Sequence, residues 1–315
     1  TTYISRFDTC GMPVKIAAEV KDFSAEDFLP RKLVRNTDIF MHFALVAADE
    51  ALEDSGIKAN FNPERTGIVL GTCFGGISTI VENQHELSCN PDFRISPHFV
   101  PKALGNIAAA QIAINHGLRG PSLTVNTACS SGADAIGLAK MLLQAGEADV
   151  VIAAGAESII CSLMVAGLTQ SKALSTYNDD PSKASKPFDL MRDGFVIGEG
   201  AGAVVLETLQ HALGRGAEIK AELLGYASNT DGYHVTSPEP EGKGEIRCMR
   251  QALSNAGLPA EAVDYINAHG TATKLGDQIE TAAIKAVFGE RAGSIPVSST
   301  KGATGHMIGA GGITE

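Results

Sequence analysis

No apolar run in these 315 residues approaches the roughly 20 consecutive positions that a membrane-spanning helix requires. The opening residues do not read as a secretory signal peptide either. Closely spaced cysteines are missing. Cys10, Cys73, Cys89, Cys129, Cys161 and Cys248 show no paired or CxxC spacing, the pattern of free thiols in a reducing, cytoplasmic compartment. Positive charge is in deficit, with 25 Lys and Arg against 36 Asp and Glu. The net charge of −11 argues against nucleic acid and anionic membranes as partners. What is present is a chain 44% hydrophobic and 19% charged, ordinary for a globular protein with one large core or two fused halves. Glycine is abundant at 34 residues, which signals tight turns and close backbone contacts rather than disorder.

The sequence echoes itself. ALEDSGI (51–57) closes a helix and leads into the strand TGIVLGT (66–72); ALSNAGL (252–258) closes another and leads into VDYINAHGT (263–271). PSLTVNTACSSGADAIG (121–137) is matched by IPVSSTKGATGHMIGAG (295–311): strand, turn of small residues, helix dense in Gly and Ala. Two related α/β halves are therefore expected, each supplying a strand–turn–helix unit. Segments 148–158 and 201–207 read as further buried strands, with a loop rich in Pro, Asp, Ser and Lys at 178–192. A helix at 209–213 and a turn at 214–216 mark the boundary, giving halves at 1–215 and 216–315, the second opening on a strand within 221–234. The first half lacks a matching opening strand and the second stops inside a helix at Glu315. Elements are therefore expected to be missing at both ends, more at the C-terminus.

The turns carry the reactive residues. Cys129 lies in NTACSSG (126–132), after PSLTV (121–125), which reads as a short buried strand; Ile136, Ala139, Leu142 and Leu143 then recur at helical spacing until Gly146. A thiol at the first turn of a helix, among residues too small to cover it, is placed for chemistry. Backbone N–H groups and the helix dipole there favour thiolate. NAHGTAT (267–273) places His269 at a strand end, and KGATGHMIGAGG (301–312) places His306 at the start of a small-residue helix. Taken singly, a buried cysteine or a lone histidine is more often structural. Each of these three, however, follows a strand end repeated between the halves, so a duplicated fold brings them to one site. A nucleophilic thiolate beside two imidazoles suits acyl transfer: the sulfur takes the acyl group and the rings donate to developing oxygen charge. Zinc is the rival use of this donor set. No two of the three form a close ligand pair in sequence, and no metal is expected.

TACSSG (127–132), NAHGTAT and KGATGH (301–306), in this order, resemble the active-site signatures of the β-ketoacyl-acyl carrier protein synthases. These belong to the condensing-enzyme, thiolase-like superfamily, and the similarity is greatest to the type II synthase of bacterial fatty acid elongation. It extends through GLRGPS (117–122), ALSTYNDDP (173–181), FDLMRDGFVIGEGAG (188–202) and YHVTSP (233–238). The resemblance implies a thiolase-like fold, two duplicated α/β halves in a layered αβαβα architecture, with residues 1–215 lacking the first strand and 216–315 truncated. It implies decarboxylative Claisen condensation of malonyl-acyl carrier protein with a cysteine-bound acyl chain. Cys129 would be the nucleophile; His269 and His306 would serve malonyl decarboxylation and hold the enolate oxygen. Lys301 resembles the family lysine beside the second histidine, and Glu315 its acidic partner. An ammonium there should disfavour imidazolium and keep His306 a neutral donor. The Cys129 amide would be an oxyanion donor. Thr271 and Thr273 resemble the threonines that hold the phosphopantetheine arm, which arrives on the carrier protein, so no resident cofactor is expected. The implied partners are acyl carrier protein, malonyl and acyl thioesters and a second copy of the chain in a cytoplasmic homodimer.

The sequence also departs from the family. Its C-terminal Gly-Phe-Gly segment has no counterpart, and Leu168 stands where a phenylalanine often lines the acyl pocket. Phe74, in GTCFGG (71–76), matches the far end of the acyl tunnel near the family's dimer interface. A ring there should shorten the tunnel and favour short or medium acyl primers. Acyl carrier proteins are acidic, so an acidic enzyme needs a local basic patch to bind one. Arg31, Lys32 and Arg35 in RKLVRNTD (31–38), with Lys172, are the candidates. A polyketide-pathway ketosynthase shares all three motifs and differs mainly in substrate. A biosynthetic thiolase would need a second, C-terminal cysteine, and a type III synthase an asparagine in place of His306. A non-catalytic subunit of the chain-length-factor kind lacks the nucleophile that Cys129 supplies.

Overall fold

In the computed structural model, which describes residues 1–57, 61–90 and 92–315, the chain opens with an antiparallel pair, β1 (Thr2–Tyr3) and β2 (Ile16–Ala17). Helices α1 (Ala25–Phe28), α2 (Arg31–Asn36) and α3 (Ile39–Asp54) follow. The Asp38 carboxylate starts α3 by accepting from the Phe40 N–H, an N-cap that satisfies one of the helix's orphan donors. Next come β3 (Thr66–Gly71), α4 (Ile77–Cys89), α5 (Phe99–Ala103), α6 (Asn106–His116) and β4 (Ser122–Val125). The first half ends with α7 (Ser131–Gln144), β5 (Val150–Glu157), α8 (Ser162–Gln170), β6 (Gly200–Glu207) and α9 (Leu209–Gly214). The second half holds α10 (Lys243–Ala256), β7 (Ile266–Asn267), α11 (Lys274–Phe288), β8 (Val297–Ser298), α12 (Lys301–Thr304) and α13 (Gly311–Thr314). No helix among the described residues is long and apolar enough to cross a membrane.

The first half is built on a four-stranded sheet in the order β4-β3-β5-β6, in which β3 runs parallel to β4 and β5 while β6 is antiparallel to β5. β3 and β5 are buried along their whole length, as strands covered on both faces by helices must be. Their side chains alternate between the faces. Ile68, Leu70 and Ile152 pack with Phe40, Leu45 and Ile112 of α3 and α6 on one side. Val69, Val151 and Ala153 pack with Ala135 and Ala139 of α7 and Ile313 of α13 on the other. The second half contributes the parallel pair β7–β8 and its own cluster of Ile284, Phe288 and Ile295. These layers agree with the α/β class expected.

Three expectations change. β4 is an edge strand with Ser122 and Leu123 exposed, and β6, at the other edge, is mostly half-buried; a run of apolar residues does not say how many neighbours a strand has. Segment 221–234 forms no strand, because no neighbouring strand lies alongside it to complete a ladder among the described residues, and the strands of the second half shrink to two residues each. His306 does not open a small-residue helix. It lies between α12 and a 3-10 turn (Ile308–Ala310), in an extended bridge to Ile197.

Small residues bring the halves together. A Cβ on Gly132 of α7 would lie 2.7 Å from the Ile313 nitrogen, and one on Gly312 of α13 would lie 2.7 Å from the Ala133 nitrogen. Only glycine at both positions allows the two helices to approach backbone to backbone. That approach delivers the turn before α7 to the turn before α13.

Candidate active site

Cys129 sits half-buried in a 3-10 turn (Ala128–Ser130) that feeds directly into α7. The Ser131 hydroxyl donates to the Ala128 carbonyl at 2.7 Å and accepts from the Thr127 N–H at 2.9 Å. Asp134 braces the same turn, accepting from Thr127 Oγ1 at 2.5 Å and Ser130 Oγ at 3.2 Å. Its other oxygen accepts from the Tyr226 hydroxyl at 2.5 Å, a contact from the second half. Tyr226 reaches it by lying over Gly137, where any side chain would occupy the ring's place. A Tyr226→Phe variant is expected to lose about 1.5–3 kcal/mol of unfolding stability in urea, the value of a hydrogen bond to a charged group. Unchanged stability would show that the hydroxyl does not brace the turn.

His306 is held by its backbone, which donates to the Val196 carbonyl at 2.7 Å and accepts from the Gly198 N–H at 2.9 Å. The Ile308 N–H donates to His306 Nδ1 at 3.3 Å, so in the neutral ring the proton is on Nε2. Nε2 lies 2.9 Å from Cys129 Sγ. The His306 ring meets Phe195 edge to face at 5.1 Å and His269 at 5.3 Å. His269 follows β7, and its own N–H and that of Gly270 donate to Glu280 at 2.7 and 2.8 Å. Lys301 is buried beside the rings, 2% exposed, and ion-paired with Glu315. Ala128, Ala272 and Ile308, each close in sequence to one of the three, are held at positive φ of 54°, 65° and 46°. Non-glycine residues take up such strain where the surrounding structure dictates it, commonly at functional sites.

The electrostatics correct one expectation. Burial pushes the Cys129 thiol up rather than down, and the Lys301 ammonium and the cysteine's own amide only partly oppose it. The sulfur therefore rests as a thiol, because desolvation outweighs the ammonium and the amide. His269 opens to the surface, yet protein packed around most of the ring, with Lys301 second, holds its pKa down to about 4. Burial, then His269 and Lys301, hold His306 well below its ordinary value. Both rings are neutral at physiological pH. Lys301 contributes to that neutrality, but burial is the larger cause.

The ground on which the sequence set zinc aside does not hold. The fold gathers one donor atom from each of Cys129, His269 and His306 to within 4.8 Å. The His306 tautomer is the better argument against a metal, since the Ile308 amide leaves a proton, not a lone pair, on the nitrogen facing the sulfur.

The remaining candidates lie outside this cluster. The Thr271 and Thr273 hydroxyls bond each other at 3.0 Å ahead of α11. Leu168 packs against the cluster that contains Phe195, Ile197 and Ile308, whereas Phe74 is 39% exposed. Arg31, Lys32 and Arg35 are exposed on α2, with Arg31 paired to Glu26 at 3.2 Å, and Lys172 is exposed after α8. Sequence reasoning missed Asp134, Tyr226, Glu280 and Glu157. Only Glu157 left a local signal, as a carboxylate ending an otherwise apolar strand, a feature it shares with Glu207 of β6.

A sulfur met by two neutral imidazoles in a layered α/β fold is an arrangement suited to acyl transfer, as expected of the thiolase-like class that the sequence resembles. Family models cover the chain accordingly: Beta-ketoacyl synthase, N-terminal domain, over residues 6–212, and Beta-ketoacyl synthase, C-terminal domain, over residues 220–315. The chain belongs to the β-ketoacyl synthase family. It is 46% identical to the 3-oxoacyl-[acyl-carrier-protein] synthase 2 of Rhizobium meliloti (strain 1021) and 45% identical to that of Coxiella burnetii (strain RSA 493 / Nine Mile phase I). Each match covers 99% of this chain and 76% of the relative. A β-ketoacyl synthase from Burkholderia phymatum STM815 superposes with a TM-score of 0.88 at 34% identity, over 96% of this chain and 73% of its own. A type II PKS acyl-carrier protein in complex with its ketosynthase gives 0.86 at 31% identity, over 98% and 76%. These relatives place the chain among the condensing enzymes of fatty acid elongation, and the polyketide and non-catalytic alternatives are not favoured.

Proposed function

We propose that Cys129 accepts an acyl chain from an acyl carrier protein, and that His269 and His306 then direct its condensation with malonyl-acyl carrier protein. The observation that carries this reading is the neutral His306 Nε2–H at 2.9 Å from Cys129 Sγ, with the His269 ring against it. In the first step the sulfur, losing its proton, attacks the acyl carbonyl; the bond to the carrier's thiol breaks and that thiol takes up a proton. In the second, the malonyl C–CO2 bond breaks, carbon dioxide leaves, and the electron pair forms an enolate whose oxygen the imidazole N–H groups hold. The enolate carbon then attacks the cysteine-bound carbonyl, forming the new C–C bond and releasing the sulfur. A neutral ring serves this role better than imidazolium, which would give its proton to the enolate. Thr271 and Thr273 would hold the arm on which both substrates arrive.

Intact mass after incubation with acyl-carrier thioesters of several lengths tests the reading. One acyl adduct, mapped to Cys129, is expected, and its yield should fall for long chains if Phe74 shortens the pocket. No adduct at any length would overturn it.

The exposed cations of α2 and Lys172 support an acidic carrier as partner. Charge reversal at both Arg35 and Lys172 is expected to raise KM for carrier-bound substrate about tenfold while sparing small thioesters. Equal effects on both substrates would remove the docking role. The outer edge of β4, which pairs with no strand among the described residues, supports a homodimer, since an exposed strand edge invites a second copy to pair with it. Six unpaired cysteines support the cytoplasm as the compartment.

A further inference from the structure

Glu157 ends β5 fully buried and takes no part in the steps above. Its carboxyl gathers two turns. Oε2 accepts from the Cys73 N–H at 2.7 Å and the Gly309 N–H at 3.1 Å, and Oε1 accepts from the Phe74 N–H at 3.1 Å and Thr72 Oγ1 at 3.3 Å. The contact with Gly309 is close enough to need glycine: a Cβ there would lie 2.6 Å from Glu157 Oε2 and 2.7 Å from the Cys73 nitrogen. One residue earlier, Ile308 is held at a φ of 46° and aims its N–H at His306 Nδ1. One series of contacts therefore runs from the end of the central strand, through the turn 308–309, to the imidazole and so to the sulfur.

We propose that Glu157 is a positioning residue for condensation: by anchoring the Gly309 amide it keeps the Ile308 N–H on His306 Nδ1, and so fixes the proton on Nε2 facing Cys129. The physical logic is that a neutral imidazole has two tautomers of similar energy, and the partner of one nitrogen selects which is present. A strained residue such as Ile308 keeps its conformation where the surrounding structure dictates it, and the adjacent Gly309–Glu157 hydrogen bond is such a constraint. Burial of a carboxyl is costly unless its hydrogen bonds are made, and here all four come from the segments that flank the site. This inference rests on the reading of His306 as a donor to the reacting oxygen.

The test is a double-mutant cycle with a spectroscopic readout. Glu157→Gln keeps the size of the side chain but withdraws the carboxylate. It is expected to leave the acyl adduct on Cys129 intact and to lower condensation about 10- to 100-fold, through kcat rather than KM. In a His306→Asn background the same change should cost less than about threefold, because the group it acts through is gone. The 15N shifts of His306 in selectively labelled protein should report Nε2–H in the parent and a tautomer mixture in Glu157→Gln. Should that variant fail to fold, Glu157→Asp, which pulls the carboxylate back from Gly309, is run through the same cycle. Equal losses in both backgrounds, or an unchanged His306 tautomer, would overturn the positioning role. Absence of any adduct on the parent enzyme would instead sink the condensing reading itself.

Discussion

Cys129→Ala is expected to abolish the acyl adduct and to lower condensation by at least about a thousandfold, because the acyl group is left with no nucleophile to carry it. The substitution removes one half-buried atom from a turn braced by Ser131 and Asp134, so the fold should persist. The informative control is Cys73→Ala. Cys73 is the other thiol near the site, yet burial, Glu157 and Cys129 together push it up to about 12. Burial pushes both thiols up, but Lys301 and its own amide pull Cys129 back down while every cause acting on Cys73 raises it, so Cys73 is the poorer nucleophile. Cys73→Ala should therefore keep the adduct that Cys129→Ala loses, read by intact mass and peptide mapping. An adduct surviving in Cys129→Ala would move the nucleophile elsewhere.

Much of this site was legible because its chemistry sits in turns whose composition is unusual and repeated. NTACSSG, NAHGTAT and KGATGH each combine a reactive residue with neighbours too small to pack, and the strand ends echoed in the sequence are what suggest that they meet. β3 and β5 were legible for a related reason, since strands apolar on both faces have no solvent side. What failed depended on distant partners. Among the described residues, β4 has the composition of a buried strand but a neighbour on one side only, and segment 221–234 has strand-like residues and no ladder to join. The resting state of Cys129 was misjudged because a helix terminus is visible in sequence whereas burial is not. Zinc was set aside for want of a close pair in the chain, although folding closes a gap of 177 residues between Cys129 and His306 to 2.9 Å. Glu157 and Gly309 stand 152 residues apart, and Tyr226 and Asp134 stand 92 apart; local patterning does not encode such pairs.

The second large effect is expected from Lys301→Met. The buried ammonium pulls the Cys129 thiol down and both imidazoles down, so its removal lets all three rise. The thiol then ionises less readily and the rings protonate more readily. Both changes act against condensation, and a loss of about 10- to 100-fold in kcat/KM at neutral pH is expected. The acid limb of the pH–rate profile should move upward from the region near 4 set by His269, toward the ordinary histidine value of 6.5. Stability responds with the opposite sign. An imidazole held below 6.5 in the folded state stabilises the fold above that pH. The contribution is lost as pH falls through about 4, because the unfolded chain takes up protons that the folded chain refuses. Lys301→Met narrows this window and so flattens the loss between pH 6.5 and 4. It also leaves the Glu315 carboxylate without its ammonium, and because Glu315 reaches the surface the cost falls below the ~3–5 kcal/mol of a fully buried pair. The double variant Lys301→Met/Glu315→Gln removes that stranded charge and should regain most of the stability while keeping the shifted acid limb. Denaturation and pH–rate measurements on both variants separate the two effects. An acid limb unmoved in both would show that the ammonium does not act on the imidazoles, and that burial alone keeps them neutral.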